Sequence, residues 1–555
     1  MLCAKSTLSP RCSSCREDPP MNPSRPPTDI HALPVELLTW IFELGSAFDY
    51  PYTKSPFLLK PDQAFIYLPS HNFQVVAHVC RHWRAVALRT QHLWTTLHIR
   101  EEIHIERAEE YISRCSASIY TFDILIDTVA VEDHIPGITL YSHELERIFK
   151  LLLPVVHRWR TFHLKVRDQE CKLVARKYLT SCGPGPKLET LQLYHFEDFR
   201  SSDGLYRATY KPPVTIFNNA LPCLKNVSLI GVNLPWKESL YLTKLHHLEL
   251  ALHLDSVRPP YRWWDRMLRG SPNLGSLSLH YSGPKKQDGS SELSWFSIDK
   301  KISLPKLHEL SFTDLDPDFL CRLLERLQLP SLKRLMLDLR EQDFTPFIDF
   351  LTSPPEHPHP ASISATLPPP TQHLSSELPV QYIGRLETLI IRGLDCGLTN
   401  WAALLRTTQS LRALDVAFAK TSPDFWKLFT HEGDAHVELN RCNSAKGRRN
   451  PALLPHLEVF TLSGVSGKDI LSALCYRFRC LSQSVRRSEK WIVRWSDRRR
   501  RQDPELDALV DKGYWTPTGK DATVKVFIDT FDYTEDIEGA DDETPSTSDE
   551  EEDEK

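Results

Sequence analysis

The chain repeats an irregular leucine-rich unit along most of its length, and no other feature limits its folding as strongly. The unit is Leu-x-x-Leu-x-Leu, often introduced by Leu-Pro, as in residues 221–229 and 304–312. The units begin at Leu188, Leu224, Leu245, Leu274, Leu307, Leu332, Leu386, Leu411 and Leu457, and in weaker form at Trp94, Ile119 and Trp159. Spacings are mostly 21 to 36 residues where no insert intervenes. One unit cannot bury its leucines alone, so the units are predicted to stack into a continuous core.

This period and pattern resemble the leucine-rich-repeat family. The resemblance implies that each unit forms a short strand and a helical return, and that the units stack with parallel strands into a curved solenoid. Helical returns are predicted at residues 318–327 and 399–407, where apolar residues recur at helical spacing. The strict asparagine ladder of the family is absent and the units vary in length, so the sequence predicts a degenerate solenoid without defining its curvature.

The residue between the last two apolar positions of each unit should point to one face of the sheet, because side chains alternate along a strand. These residues are His98, Asp123, His163, Gln192, Ser228, Glu249, Ser278, Ser311, Met336, Ile390, Asp415 and Thr461. Ten of the twelve are polar, which predicts an open, solvated face rather than a sheet covered on both sides. The nine from Gln192 onward are the candidate binding face. Met336 and Ile390 are either an apolar anchor on it or core residues in a misassigned register.

Residues 29–93 carry a different pattern, that of two short amphipathic helices. The first is predicted to begin at Pro34, where the missing N–H costs nothing, with Glu36 in the electropositive first turn. One face of this helix holds Leu33, Leu37, Leu38, Ile41 and Leu44. The second helix is predicted from the helical spacing of Val75, Val76, Val79, Cys80, Trp83, Val86 and Ala87. Two helices of this size need a partner to bury their apolar faces.

The pairing of Leu-Pro-x-Glu-Leu-Leu-x-x-Ile-Phe with Val-Cys-Arg-x-Trp-Arg resembles an F-box, and degenerate solenoids follow F-boxes in families expanded in fungi. An F-box binds a Skp-type adaptor, which connects it to a cullin scaffold and a ubiquitin-conjugating enzyme. The matching residues are Leu33, Pro34, Leu37, Leu38, Ile41, Val79, Cys80 and Trp83. We expect Leu33, Pro34 and Leu38 nearer the adaptor, and Cys80 and Trp83 nearer the internal core. An insertion at residues 45–71, rich in proline and aromatic residues, departs from the usual F-box linker.

The predicted fold class combines a small all-helical F-box with an irregular α/β repeat of parallel strands and helices. The F-box-like domain covers residues 29–93 and the solenoid residues 94–530, with loop insertions at 353–379 and 431–450. The leader, residues 1–28, and the acidic tail, residues 531–555, are predicted to be disordered. Proline-rich sequence in the first loop is typical of an extended, solvated segment, with a docking motif as the alternative.

The C-terminal part changes character at residues 486–501, where two basic clusters flank Trp491 and Trp495. A basic helix packing its tryptophans on the last repeat is predicted, and a bipartite nuclear-import signal is the alternative or an additional role. Residues 506–510 and 524–528 are predicted to form a closing helix and strand. In the tail, acids follow Ser546 and Ser548 by three residues, a pattern preferred by acidophilic kinases, although a plain solvating acidic tail is the preferred interpretation.

Composition excludes several classes of function. The 13 scattered cysteines and the absence of an initial apolar segment predict a cytoplasmic or nuclear protein without a disulfide framework. The sequence contains no run of about 18 apolar residues, so no membrane span is predicted. The net charge of −5 includes −8 in residues 541–555, so the remainder carries only +3 and offers no basic face for nucleic acid.

Motifs for catalysis or cofactor binding are also missing. The chain has only 20 glycines, with neither a Gly-x-Gly-x-x-Gly nor a Gly-Lys-Ser/Thr motif, and no recognisable catalytic constellation. The Cys12–Cys15 spacing lacks a second pair for zinc. We therefore assign no catalytic, metal or cofactor residue. The expected function is a non-catalytic receptor of a ubiquitin ligase that captures a protein substrate. The alternatives are a leucine-rich scaffold whose F-box-like helices form a cap and an enzyme hidden in the solenoid.

Overall fold

The computed structural model describes residues 33–48, 55–59, 76–195, 212–285, 301–353, 383–417 and 453–463, five single residues between 425 and 473, and the backbone of residues 489–495 and 524–530. The predicted leader and acidic tail lie outside the described residues. So do the two predicted loop insertions, except Ser353, and the Cys12–Cys15 pair.

A single parallel sheet runs through the described part of the chain, with 14 strands side by side in chain order. The strands are β1 (Thr96–Ile99), β2 (Phe122–Asp127), β3 (Trp159–Val166), β4 (Thr190–His195), β5 (Asn226–Ile230), β6 (His247–Ala251), β7 (Ser276–His280), β9 (Glu309–Thr313), β11 (Arg334–Asp343), β12 (Thr388–Asp395), β13 (Ala413–Ala417), β14 (Val459–Ser463), β15 (Glu489–Trp495) and β16 (Val524–Thr530). A separate parallel pair is formed by β8 (Ile302–Ser303) and β10 (Leu327–Gln328). Each strand of the large sheet pairs in parallel with the strand of that sheet that follows it along the chain. The chain must therefore return to the same end of the sheet before each new strand begins.

Helices supply most of these returns. They are α1 (Val35–Phe48), α2 (Val76–Val79), α3 (Arg81–Arg89), α4 (Ile103–Arg114), α5 (Ser142–Leu152), α6 (Gln169–Ser181), α7 (Tyr261–Arg269), α8 (Pro317–Glu325), α9 (Thr345–Thr352) and α10 (Leu398–Thr407). Short 3₁₀ turns add Gln91–Trp94, Val131–Asp133, Leu153–Arg158, Phe217–Asn219 and Asp255–Val257. The returns predicted at residues 318–327 and 399–407 are confirmed as α8 and α10.

Local sequence explains where these helices begin. Asp168 caps α6 by accepting a hydrogen bond from the Cys171 N–H at 2.9 Å. Asp316 does the same for α8 through the Phe319 N–H at 3.1 Å, and Pro317 occupies the first turn, where no N–H is needed. These two caps fix where α6 and α8 begin. The apolar residues of both helices face the sheet.

The core lies between the helices and one face of the sheet. Each strand contributes alternate apolar residues to it, such as Leu191 and Leu193 of β4. Each return contributes one face, such as Leu145, Ile148 and Phe149 of α5. These residues form one continuous cluster from α1 to β14, which is the arrangement that stacked repeats require.

The first twelve strands of the sheet correspond to the twelve predicted units. The residues predicted to share one face lie directly beside one another in register, for example Gln192 beside Ser228 and Ser278 beside Ser311. One assignment is wrong, because Leu125, not Asp123, is the β2 residue next to both His98 and His163. The fold is therefore an α/β solenoid-like arrangement of parallel strands with helical returns.

The C-terminal prediction is partly corrected. Residues 489–495 of the basic segment form strand β15, so a helix across residues 486–501 is wrong at these positions. The predicted closing strand is confirmed as β16, which pairs with β15. Parallel pairing with β14 satisfies the backbone of β15, and the charge pattern alone gave no sign of that pairing.

Candidate functional site: an exposed helix stripe and a covered sheet face

Helix α1 forms as its sequence predicts. It begins at Val35, directly after Pro34, with Glu36 in the first turn. The Leu38 N–H donates to the Pro34 carbonyl at 3.1 Å and closes the first turn. The acidic side chain is favourable there, because the helix N-terminus carries a partial positive charge.

One side of α1 is anchored in the protein core. Leu38 is 0% exposed and Phe42 is 2% exposed. The Phe42 ring meets the Trp83 ring of α3 edge to face, with centroids 5.2 Å apart. The expectation that Leu38 lies nearer an adaptor is wrong, because its side chain is enclosed by the chain's own core. The expectation that Trp83 lies against the internal core agrees with its contact to Phe42.

The other side of α1 exposes a stripe of large apolar side chains, here called the α1 stripe. It consists of Leu37, Trp40, Ile41 and Leu44, with exposed fractions of 47%, 60%, 44% and 56%. The spacing i, i+3, i+4, i+7 places these four on one helical face. Val35, Val79 and Leu88 are also exposed apolar residues of the helical region. Trp40 is not among the residues predicted for this face, although its helical spacing from Leu37 and Leu44 identifies it as a member.

The predicted second helix is two helices. Cys80 takes an extended backbone conformation between α2 and α3, and its sulfur accepts the Trp83 N–H at 3.4 Å as an N-cap. The Arg84 side chain donates to the Ala77 carbonyl at 2.9 Å across this break. Among the other predicted F-box residues, Pro34 and Val79 are exposed and Leu33 is half-buried. The eight matching residues are therefore divided between the core and the surface.

The predicted open face of the sheet is covered at its N-terminal end. Residues 55–59, here called the strap, lie within the predicted F-box insertion but contact the sheet far along the chain. Leu58 and Leu59 are each 5% exposed, and they form a small apolar cluster with Leu125, Tyr194, Ile230, Ala251 and Leu252. Gln192 and Ser228, both predicted to be solvated, are 0% exposed.

Gln192 forms hydrogen bonds to the backbone of the strap. Its Oε1 accepts the N–H groups of Leu58 and Leu59 at 3.1 and 3.0 Å. Its Nε2 donates to the Leu59 carbonyl at 2.7 Å, which fixes the orientation of the amide. A buried amide with these partners holds a peptide segment by its backbone.

A polar row continues on both sides of Gln192. His163 Nδ1 lies 2.9 Å from Gln192 Oε1, and Gln192 Nε2 lies 3.4 Å from Ser228 Oγ. Ser228 Oγ in turn donates to Glu249 at 2.6 Å. Burial lowers the pKa of His163 to about 4, so the ring is neutral at physiological pH and donates through Nδ1–H.

The rest of the candidate face is more accessible, and two neighbouring apolar residues interrupt its polar row. Glu249, Ser278, Ser311, Met336 and Asp415 are partly exposed, whereas Ile390 and Thr461 are buried. Met336 and Ile390 lie side by side in this row, so they are not misregistered core residues. Arg392 forms a bidentate ion pair with Asp415, at 3.0 and 2.9 Å.

No group of three or more His, Cys, Asp or Glu residues among the described residues is arranged to hold a metal ion. None of the described helices combines the length and the apolar character needed to cross a membrane. The fold and these two surfaces define a repeat protein of the α/β solenoid-like class with an apolar helix at one end. No family model matches the chain, and no curated protein matches it.

Proposed function

We propose that this chain is the substrate-recognition subunit of a Skp-cullin-F-box type ubiquitin ligase. In this proposal the α1 stripe binds the Skp-type adaptor and the sheet face captures a protein substrate. The chain itself performs no chemistry. It holds a substrate lysine near the conjugating enzyme, which raises the effective concentration of the two reactants.

The α1 stripe is the observation that carries the proposal. A helix that exposes anchors at i, i+3, i+4 and i+7 is typical of recognition in which the helix lies in an apolar groove of a partner. Burying a leucine or isoleucine side chain stabilises such a complex by about 1.5–3 kcal/mol. The opposite side of α1 is fixed by Leu38 and Phe42, so the stripe is presented on a rigid support.

A repeat scaffold capped by these helices is the second candidate. It is favoured by the core, because Leu38, Phe42 and Val86 belong to the same cluster as Leu97 of β1. Helices α1 and α3 also pack against the 3₁₀ turn Gln91–Trp94, which leads into β1. However, terminal caps generally present a polar outer face. The outer face of α1 is apolar, which favours a docking role in addition to the cap.

Co-purification of the full chain with a Skp-type adaptor tests the proposal. The test variant is Leu37→Asp/Ile41→Asp, which places two carboxylates in the stripe. The control variant is Ile135→Asp/Ile138→Asp, which adds the same charge at residues that are 53% and 54% exposed but lie away from α1. We expect the full chain and the control to bind, and the stripe variant to bind at least about 100-fold more weakly, which corresponds to about 2.7 kcal/mol.

Two results would contradict the proposal. If the intact chain does not bind the adaptor, the capped scaffold is the better description. If the stripe variant binds as well as the control while keeping its circular dichroism spectrum, adaptor binding does not use α1.

A further inference from the structure

The strap and the sheet face beneath it have the contacts of a peptide and its binding site. The five residues of the strap are the only described part of the chain between residues 49 and 75. They reach Gln192, more than 130 positions away, through three backbone hydrogen bonds. These three hydrogen bonds do not depend on the identity of the strap's side chains, because they join Gln192 to backbone N–H and C=O groups.

The cluster under the strap is separate from the main core. Leu125, Tyr194, Ile230 and Ala251 point to the strap side of the sheet, while the neighbouring strand residues point to the helices. Removing the strap therefore exposes a small apolar surface and the Gln192 amide, and it leaves the contacts between helices and sheet in place. A site of this kind remains intact when its occupant leaves.

We propose that the face of β2–β6 is a recognition site for a non-helical segment of a partner protein with two adjacent apolar residues, and that the strap occupies this site in competition with the partner. The inference rests on the proposed function and deepens it, since it names the chemistry of the substrate segment. The apolar pair would replace Leu58 and Leu59, and its backbone would replace their bonds to Gln192.

The geometry explains why such a site selects a non-helical peptide. One amide side chain satisfies two consecutive N–H groups and one C=O group, so a helical segment, whose own N–H groups are already bonded, gains nothing there. Tethering the strap to the same chain gives it a high effective concentration. A free peptide can bind only while the strap is undocked. Its apparent affinity is therefore its intrinsic affinity multiplied by the fraction of molecules whose strap is undocked.

The test uses the full chain and a fluorescein-labelled peptide with the sequence of residues 54–62, Lys-Ser-Pro-Phe-Leu-Leu-Lys-Pro-Asp. Binding is measured by fluorescence anisotropy to the wild type and to Leu58→Asp/Leu59→Asp. Buried carboxylates are costly in the apolar cluster, so the variant strap undocks. We expect the peptide to bind this variant at least tenfold more tightly than the wild type.

Two controls test the mechanism. In the Leu58→Asp/Leu59→Asp background, Gln192→Ala should weaken peptide binding at least tenfold, whereas Gln328→Ala, in the separate β8–β10 pair, should leave it unchanged. A peptide with N-methylated amides at the two leucines keeps both side chains but loses both donors, and it should also bind at least tenfold more weakly.

Three results would overturn the inference. They are equal binding to wild type and strap variant, equal binding of the N-methylated peptide, and loss of cooperative melting in the strap variant, which would make the strap part of the folding core. Adaptor binding is measured on the same proteins. If it is retained while peptide binding fails, only this inference is wrong; if it fails while peptide binding is retained, only the proposed function is wrong.

Discussion

Two neighbouring segments of this chain bury their leucine side chains to very different extents. Helix α1 leaves Leu37 and Leu44 about half exposed, whereas the strap, a few residues further along, buries Leu58 and Leu59. The two segments have a similar apolar character, so composition does not distinguish them. The difference is that the strap meets a complementary surface of the chain, whereas none of the described residues covers the α1 stripe. An apolar surface that the chain does not cover itself is the one to assign to a partner.

The largest expected effect compares two adjacent leucines of α1. Leu38→Ala should lower the free energy of unfolding by about 2–5 kcal/mol, because it leaves a cavity in the core. Leu37→Ala, the same change at an exposed position, should lower it by less than about 0.5 kcal/mol. Urea denaturation followed by circular dichroism measures both values. Equal losses would mean that α1 is rotated relative to the structure described here.

The next effect concerns pH at the covered face. The pKa of His163 is lowered by burial from 6.5 to about 4. Between these values the unfolded chain binds a proton that the folded chain does not, so stability falls as the pH decreases from 6.5 to 4. The full difference corresponds to roughly 3 kcal/mol. His163→Gln should therefore reduce the shift of the urea midpoint between pH 7 and pH 4.5. An unaltered shift in the His163 variant would show that the ring is solvated.

A smaller effect is expected at the strap itself. Leu59→Ala removes part of a buried side chain and should weaken docking of the strap by about 1–3 kcal/mol. Hydrogen exchange at the amides of Leu58 and Leu59 should then accelerate roughly 5- to 100-fold, while exchange in β4 stays slow. Leu44→Ala, in the α1 stripe, is the matched control and should not change exchange in α1. Slow exchange at the two amides of the Leu59 variant would contradict the described contacts.

The smallest effect compares two serines of the same row. Ser228 is buried and donates to Glu249 at 2.6 Å, whereas Ser311 is partly exposed. Ser228→Ala should cost about 1 kcal/mol, and Ser311→Ala close to zero, because water replaces the lost partner only where the site is accessible. Thermal melting of the two variants at pH 7 distinguishes them. A larger loss at Ser311 would mean that the strap covers a different part of the face.

The repeat pattern was sufficient to predict most of the architecture. Apolar triplets that cannot be buried singly predict stacked strands, and twelve of them correspond to β1–β7, β9 and β11–β14. The start of α1 also followed from local sequence, since Pro34 and Glu36 favour a helix N-terminus whatever surrounds them. The error at Asp123 arose in a weak unit, where strand alternation leaves two residues of the same face equally plausible.

Contacts between distant segments decided the rest. Whether Leu37 or Leu38 faces the core depends on where α3 lies, and the sequence of α1 permits either. Cys80 interrupts the predicted second helix through a side-chain cap, which helical periodicity alone does not reveal. The strap is the clearest case, because its partner Gln192 lies more than 130 residues away. The sequence by itself determined which side chains alternate and which segments stack. Only the tertiary structure decided which apolar surfaces the chain covers, because burial depends on which segments meet in space.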